Sequence, residues 1–375
     1  MQDTFVEHRP AASVVNEGGA SVLGASAAIL PAIAGADGEA RAGRRRKSGN
    51  IPVLDGWRGI SILFVLACHM LPLGPHRWLL NECAGPVGMS LFFTLSGFLI
   101  TSTLVERLDV RVFFVRRACR ILPLVFLYMV FVMVFLGENW RSWLSHLLFA
   151  VNYDGQHLNS MTGHLWSVCV EVHFYVFIGV LVAVTGSRGF ILLPFLCIAI
   201  TAGRVASGTE LSIATHKRVD EILAGACLAL AYHDRLNLGL KWLLGRVWQA
   251  PLMVVLLVSC HPSSGPMNYL RPYFGAALVG STLWRPEEDR LNRALGSRFL
   301  KYMAMVSYAL YVIHPATMYG WLGGGGRWEK YLLKRPISAV LTFGLAHLST
   351  HYYEKRWISL GKKLTGRWMS PAGAA

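Results

Sequence analysis

The sequence predicts an all-α integral membrane protein, about ten transmembrane helices gathered in one bundle, and three observations carry that expectation. Of its 375 residues, 54% are hydrophobic and only 15% charged, more apolar side chain than a soluble domain buries in one core. Uncharged runs recur along the chain at nearly regular intervals. Lysine and arginine are shared unevenly between alternate connecting segments.

Residues 1–50 are rich in Ala, Gly and Ser and end in "RAGRRRKSGN", the composition of a disordered cytosolic tail. Gly18 to Ala36 is uncharged but holds four Gly and one Pro, and its positive cluster follows rather than precedes it. That order argues against a signal peptide.

Uncharged runs then cover residues 59–76, 83–105, 121–137, 172–187, 189–203, 247–270, 302–326 and 336–353. A hydrocarbon core about 30 Å thick takes about 20 residues of helix, so these runs can cross it once flanking side chains snorkel. Two more helices are predicted around 218–234, with Asp220 and Glu221 near one end, and 268–284, interrupted by Arg271. Ten spans with an inward N-terminus assign 25 of the 36 Lys and Arg to the inside and 10 to the outside, with Arg58 at the membrane edge. The asymmetry implies cytoplasmic termini and puts "RRACR" on the cytoplasmic side of the membrane. The expected organisation is a tail over 1–50, a membrane domain over 51–364 and a short cytosolic tail over 365–375.

The net charge of +15 raises nucleic acid as a partner, but the basic residues alternate with apolar runs instead of coating a polar face. Lipid headgroups or a phosphorylated ligand are expected instead. The seven cysteines form no CxxC pair and no metal-like spacing with histidine; they read as small apolar helix residues. Cys83 and Cys260 fall near the same predicted face, the one pair for which a disulfide stays open.

Four polar clusters interrupt the apolar runs. His69 sits within "WRGISILFVLACHMLPL", eleven residues after Arg58, three turns and roughly 16 Å along one helix. A lone intramembrane histidine is as often a bonded helix contact as a working group, but one helix carrying a cation and a titratable ring shifts that balance. In "HLWSVCVEVHFYVF", His164, Ser167 and Glu171 are spaced by three and four residues and so share a face; a carboxylate there must look into a bundle or a wet cavity, or into a structural ion pair. "THKRVDEILAG" puts Arg218 and Asp220 at an outward helix end, where a surface pair is the default. "VSYALYVIHP" brings Ser307, Tyr308, Tyr311 and His314 to a helix that Pro315 is expected to bend, the tyrosines being read by default as interface belt.

"LDGWRGISILFVLACH", "VGMSLFFTLSGFLI", "FFVRRACRILPL", "HLWSVCVEVHFYVF", "HKRVDEILAGACLA" and "VSYALYVIHP" occur in an order that resembles the acyltransferase-3 family, integral-membrane O-acyltransferases of bacterial surface and secreted glycans. The similarity runs from about Ile51 to Leu364. It implies ten helices in a bacterial cytoplasmic (inner) membrane, a cytoplasmic acyl-CoA donor, by family default acetyl-CoA, no bound cofactor or metal, and an acceptor hydroxyl on the far side of the membrane. The family's deep histidine falls on His69, its Arg-Gly on Arg58 and Gly59, its RxxR on Arg117 and Arg120, and its His-Leu-Trp-Ser with the following Glu on His164, Leu165, Trp166, Ser167 and Glu171. Two positions depart from the pattern: Val172 and His173 stand where Glu-Gln is frequent, and Ser90 where Asp is frequent. About ten residues remain after Leu364, so transfer is expected to be completed within the bundle.

The resemblance gives the clusters chemical roles. Acyl-CoA carries a pyrophosphate and a 3'-phosphate, groups that guanidinium forks bind bidentately, so Arg116, Arg117, Arg120 and Arg58 are expected to hold the donor; as topology anchors, the arginines would need no ligand. A neutral histidine is suited to take the acceptor's proton near neutral pH, which makes His69 the expected base, with Glu171 orienting it or gating protons. His164, Trp166, Ser167, Arg218, Asp220, Tyr308 and His314 are expected to line the acceptor path. The alternative is a transporter or flippase for a glycan or lipid, since polar groups in a bundle also mark substrate paths; the chain has no evident internal repeat with paired broken helices.

Overall fold

A computed structural model describes residues 51–236 and 239–369. The expected N-terminal tail and residues 370–375 lie outside the described residues. Of the expected C-terminal tail, residues 365–369 belong to the last helix.

The described chain is helical and contains no strand. Its first helix, α1 (Pro52–Met70), opens on a proline, which the first turn accommodates because that N–H has no helical partner. Then come α2 (Leu80–Glu106) and α3 (Val110–Leu136). Asp109 caps α3 by accepting the Val112 N–H at 3.0 Å, and Gly137, at φ 63°, ends it in the left-handed conformation that glycine adopts readily. The short α4 (Trp140–Leu147), α5 (Trp166–Thr185), α6 (Leu192–Ala206) and α7 (Asp220–Tyr232) follow. The second half holds α8 (Leu240–Arg246), α9 (Gln249–Cys260), α10 (Arg271–Leu283), α11 (Arg290–Leu295), α12 (Arg298–Ile313), α13 (Arg335–Leu348) and α14 (Lys355–Met369), the last two joined through a π-helical turn at Ser349–Glu354.

Each of the ten predicted runs overlaps a helix. Among the described residues, four segments qualify by length and apolarity to cross a membrane, Pro52–Met70, Leu80–Glu106, Val110–Leu136 and Gly163–Ala206, and α8 with α9, bent by 95°, makes a fifth if taken as one broken span. α7 and α10 have 13 residues each, roughly 20 Å at 1.5 Å per residue and so shorter than the hydrocarbon core. Both are largely buried among other helices, and a helix wrapped by protein need not carry an uninterrupted apolar surface.

Helix α2 packs against α1 on one side and α7 on another. A Cβ on Gly97 would run into the Ile222 carbonyl, and one on Gly225 into the Thr94 carbonyl; these two glycines let the α2 and α7 backbones approach as small residues do in membrane helix pairs. Ser61 Oγ donates to the Gly88 carbonyl (2.8 Å) between α1 and α2, and the buried Trp57 Nε1 donates to Thr282 Oγ1 (3.1 Å) between α1 and α10.

The structure departs from the expected placement of several polar residues. Arg218 and Asp220 are 2% and 0% exposed, and they do not form a surface pair: Asp220 takes Arg204, and Arg218 turns to Glu221. The reason is that α7 starts inside the bundle. Pro315 does not bend α12, which ends at Ile313 with His314 as its cap. Tyr308 and Tyr311 are not belt residues; their hydroxyls donate to the Ile121 and His164 carbonyls within the bundle. All seven cysteines are free, Cys83 Sγ lying 3.3 Å from the Leu257 carbonyl.

Candidate active site

Two cavities flank opposite ends of α2. One of about 780 Å³ is lined by Gly85, Pro86 and Met89 near its start, together with His69, His164 and His314. The other, about 460 Å³, is lined by Thr103, Glu106 and Arg107 at its end, with Arg116, Arg117 and Arg120 of α3 and Lys362 of α14. Gly85 to Thr103 is roughly 27 Å of helical rise. Between the cavities a small void is lined by Arg58, Ser61, Val65, Met89 and Tyr311; Val65, Met89 and Tyr311 also line the histidine cavity.

The histidine cavity draws its rings from three distant segments. His69 sits in the last turn of α1 and is exposed to the cavity. His314 caps α12, its ring centroid 5.1 Å from that of His69 and 5.3 Å from that of His164. His314 Nδ1 lies 2.7 Å from the Tyr311 carbonyl and His164 Nε2 3.2 Å from the Val312 carbonyl. Carbonyls only accept, so these nitrogens carry the hydrogens, which leaves the other nitrogen of each neutral ring able to accept a proton. Tyr311 OH is shared between Ser167 Oγ (2.5 Å) and the His164 carbonyl (2.7 Å), which fixes the turn Gly163–Leu165 that carries His164. Trp166 lines the same cavity, and the Arg218 guanidinium carbon is 5.4 Å from its ring centroid.

At the arginine end the cavity is a cationic cleft with Glu106 and Asp109 at its rim. Arg120 and Arg116 are exposed and Arg117 half-buried, and Arg116 Nε donates to Thr365 Oγ1 of α14 (3.0 Å). Arg117 packs over the Phe113 and Tyr175 rings at 5.9 and 5.7 Å. Beneath it Glu171 accepts from Ser96 Oγ (2.6 Å) and Tyr175 OH (2.5 Å). Through Tyr175 Glu171 is tied to the arginine side of the bundle; it lines neither cavity, and its hydrogen-bond partners are Ser96 and Tyr175.

The structure thus gathers His69, His164, Trp166, Arg218 and His314 in one cavity and Arg116, Arg117 and Arg120 in the other, with Arg58 between. Ser167 stands behind the His164 turn. Asp220 and Tyr308 line neither cavity, Asp220 because Arg204 and Thr201 hold it and Tyr308 because its hydroxyl points to α3. His173 pairs with Thr215 Oγ1 (2.7 Å), and Ser90 is buried with no protein partner for its hydroxyl. Reading the sequence left out Ser96 and Tyr175; Tyr175 follows Glu171 by four residues on one helix face, a spacing that could have marked it, whereas the partner role of Ser96 comes from a different helix. Among the described residues no group of three metal-ligating side chains converges.

A family model described as "Acyltransferase domain" (acyltransferase 3) matches residues 51–351. A Bacillus subtilis (strain 168) protein provisionally named peptidoglycan O-acetyltransferase YrhL is 28% identical over 357 residues, covering 81% of this chain and 54% of that protein. A provisionally named O-acetyltransferase of Staphylococcus aureus (strain COL) is 30% identical over 163 residues, 36% of this chain and 25% of its own length. Peptidoglycan O-acetyltransferase OatA of Listeria monocytogenes is 27% identical over 150 residues, 34% and 23% of the two chains. The chain spans about half the length of the first of these relatives and a smaller share of the others. No solved structure matches.

Proposed function

The chain belongs to the acyltransferase-3 family, and from that premise we propose that it moves an acyl group, acetyl by family default, from acyl-CoA in the cytoplasm to a hydroxyl of a glycan on the far side of the bacterial cytoplasmic membrane. In this reading ten helices cross or enter the bilayer with both termini cytoplasmic: α1, α2, α3, α5 and α6, the shorter α7, α10, α12 and α13, and the broken α8 with α9 taken as one. Membrane lipid surrounds the bundle, and peptidoglycan is the acceptor suggested by the names of the relatives.

The observation that carries the reading is the pair of cavities at opposite ends of α2 with Arg58 between them. Arg116, Arg117 and Arg120 hold the phosphates of the donor, and its thioester arm runs past Arg58 towards His69. His69 takes the proton of the acceptor hydroxyl as its oxygen attacks the acyl carbonyl. The carbon–sulfur bond breaks, the ester forms, and the proton passes to the leaving CoA thiolate. A thioester is already activated, so alignment of the two substrates and one base of moderate strength supply the catalysis. Arg218 and the His314 and His164 rings shape the acceptor side.

The test is a membrane preparation given acetyl-CoA labelled in its acetyl group together with peptidoglycan. Label in alkali-sensitive ester linkage on the glycan supports transfer. Uptake of glycan or lipid with no ester label would overturn the reading and favour a transporter.

A further inference from the structure

One guanidinium in the wall of the histidine cavity carries a charge that its neighbours do not cancel. Arg218 is 2% exposed and lines that cavity beside Trp166 and His164. Four more charged side chains share its buried cluster, Arg204, Arg271, Asp220 and Glu221, none more than 1% exposed. Arg204 Nη1 takes Asp220 at 2.5 Å and Arg271 Nε takes Glu221 at 2.6 Å, both short charge-assisted bonds. Arg218 Nη2 is left with the second oxygen of the same Glu221, at 3.5 Å. Three guanidiniums therefore share two carboxylates, and one positive charge remains.

The charges nearest this cluster do not supply the balance. Glu210, half-buried, reaches Arg271 only through Asn268, whose Nδ2 donates to its carboxylate (3.4 Å) and whose Oδ1 accepts from Arg271 Nη1 (3.3 Å), and the half-buried Lys217, which donates to Thr209 Oγ1 (3.1 Å), offsets its charge. Arg218 Nε and Nη1 are buried with no protein hydrogen-bond partner. The Trp166 and Phe93 rings lie 5.4 and 5.9 Å from its guanidinium carbon; such contacts favour a cation but satisfy no N–H. A buried cation needs a counter-charge, and buried N–H groups need acceptors. An anion in the cavity supplies both.

We propose that Arg218 recognises a singly negative oxyanion on the acceptor, a sugar carboxylate or a phosphodiester, and thereby seats the acceptor with its hydroxyl towards His69 and His314. One negative charge neutralises the cluster, whereas a phosphate monoester dianion leaves it negative. The proposal rests on reading the histidine cavity as the acceptor site, and it makes Arg218 a specificity residue separate from the donor arginines.

The experiment measures binding without donor, so that its result is independent of turnover. The full chain in lipid nanodiscs is titrated calorimetrically with three probes: an oligogalacturonate, the same oligomer with its carboxyls reduced to alcohols, and a glycerol phosphate oligomer. The proposal expects at least one anionic probe to bind at least tenfold more tightly than the neutral one, the preferred probe telling carboxylate from phosphodiester. In Arg218→Gln that preference disappears. If this variant fails to insert, Arg218→Lys serves instead: it keeps the charge but not the planar donor set, so it should weaken the anionic probe several-fold and leave the neutral probe unchanged. Equal or undetectable binding of all three probes to the parent chain, or a preference that survives in Arg218→Gln, overturns the proposal. A chain that transfers acetyl label to glycan yet shows no anion preference refutes only the role of Arg218; a chain that binds the anion but transfers no label refutes the acyltransferase reading instead.

Discussion

The rings of His69, in the last turn of α1, and His314, at the cap of α12, stand 5.1 Å apart although 245 positions separate them in sequence. The Tyr311 carbonyl holds the His314 Nδ1 hydrogen, while His69 is exposed to the cavity. One ring is fixed and the other is free to meet a substrate.

From this pairing His69→Ala is expected to reduce acyl transfer by about 10²- to 10⁴-fold, the usual contribution of a general base, while abundance in the membrane stays near that of the parent because Ala suits a helix. His69→Gln, of similar reach but unable to titrate, should be equally impaired. Rates of labelled acetyl transfer, normalised to protein by immunoblot, check both. Near-parent turnover in either variant removes His69 from the chemistry.

At the other cavity, Arg117→Ala and Arg120→Ala are each expected to raise the apparent KM for acyl-CoA more than they change acceptor dependence. Loss of a charge-assisted phosphate contact costs about 1.5 to 3 kcal/mol, roughly ten- to a hundredfold in binding. Lysine should rescue only in part, since a point charge does not reproduce the bidentate fork. Added salt should weaken donor binding in the parent more than in the double variant. Unchanged donor KM in both single variants would return these arginines to the role of topology anchors.

Orientation is open to direct labelling. Cysteines placed at positions 77 and 327 should react with an impermeant thiol reagent added to intact cells, and one at position 290 should not, following the Lys and Arg asymmetry. The seven native cysteines are first replaced by Ala or Ser so that background labelling is removed. Reaction at 290 from outside breaks the ten-helix arrangement.

The contact between α2 and α7 predicts an unequal response to added bulk. Gly225→Leu forces a side chain against the Thr94 carbonyl, and Gly203→Ala meets nothing within 4 Å. The first is expected to destabilise the fold by about 1–3 kcal/mol or more, as overpacking does, and the second to leave it unchanged or slightly firmer. Thermal unfolding in detergent, followed by retained monodisperse protein, reports both. Equal midpoints for the two variants would mean that the helices separate without cost.

The helices were legible in the sequence because hydropathy and charge are local quantities. A lipid core demands an apolar stretch of given length wherever the chain crosses it, and each predicted run overlaps a helix. His69 and Arg58 on one helix, and Arg116, Arg117 and Arg120 at the start of another, could likewise be named from spacing alone. Arg218 and Asp220 could not be read in this way. They are two positions apart in sequence and look like a surface pair, yet α7 begins inside the bundle, so Asp220 is held by Arg204, sixteen positions away, and Glu221 by Arg271, fifty positions away.

By itself, then, the sequence determined which segments are helical, which of them carry titratable or cationic groups, and the family to which their order belongs. Only the tertiary structure decided that His314 and His164 join His69, that Glu171 pairs with Ser96 and Tyr175, and that Arg218 is left with a charge its neighbours do not cancel. The physical reason is that a buried polar group takes its partner from whichever helix packs against it. The closeness of that packing is set by non-local contacts such as Gly97 and Gly225 against the facing backbones, and no periodicity along one helix encodes the identity of its neighbour.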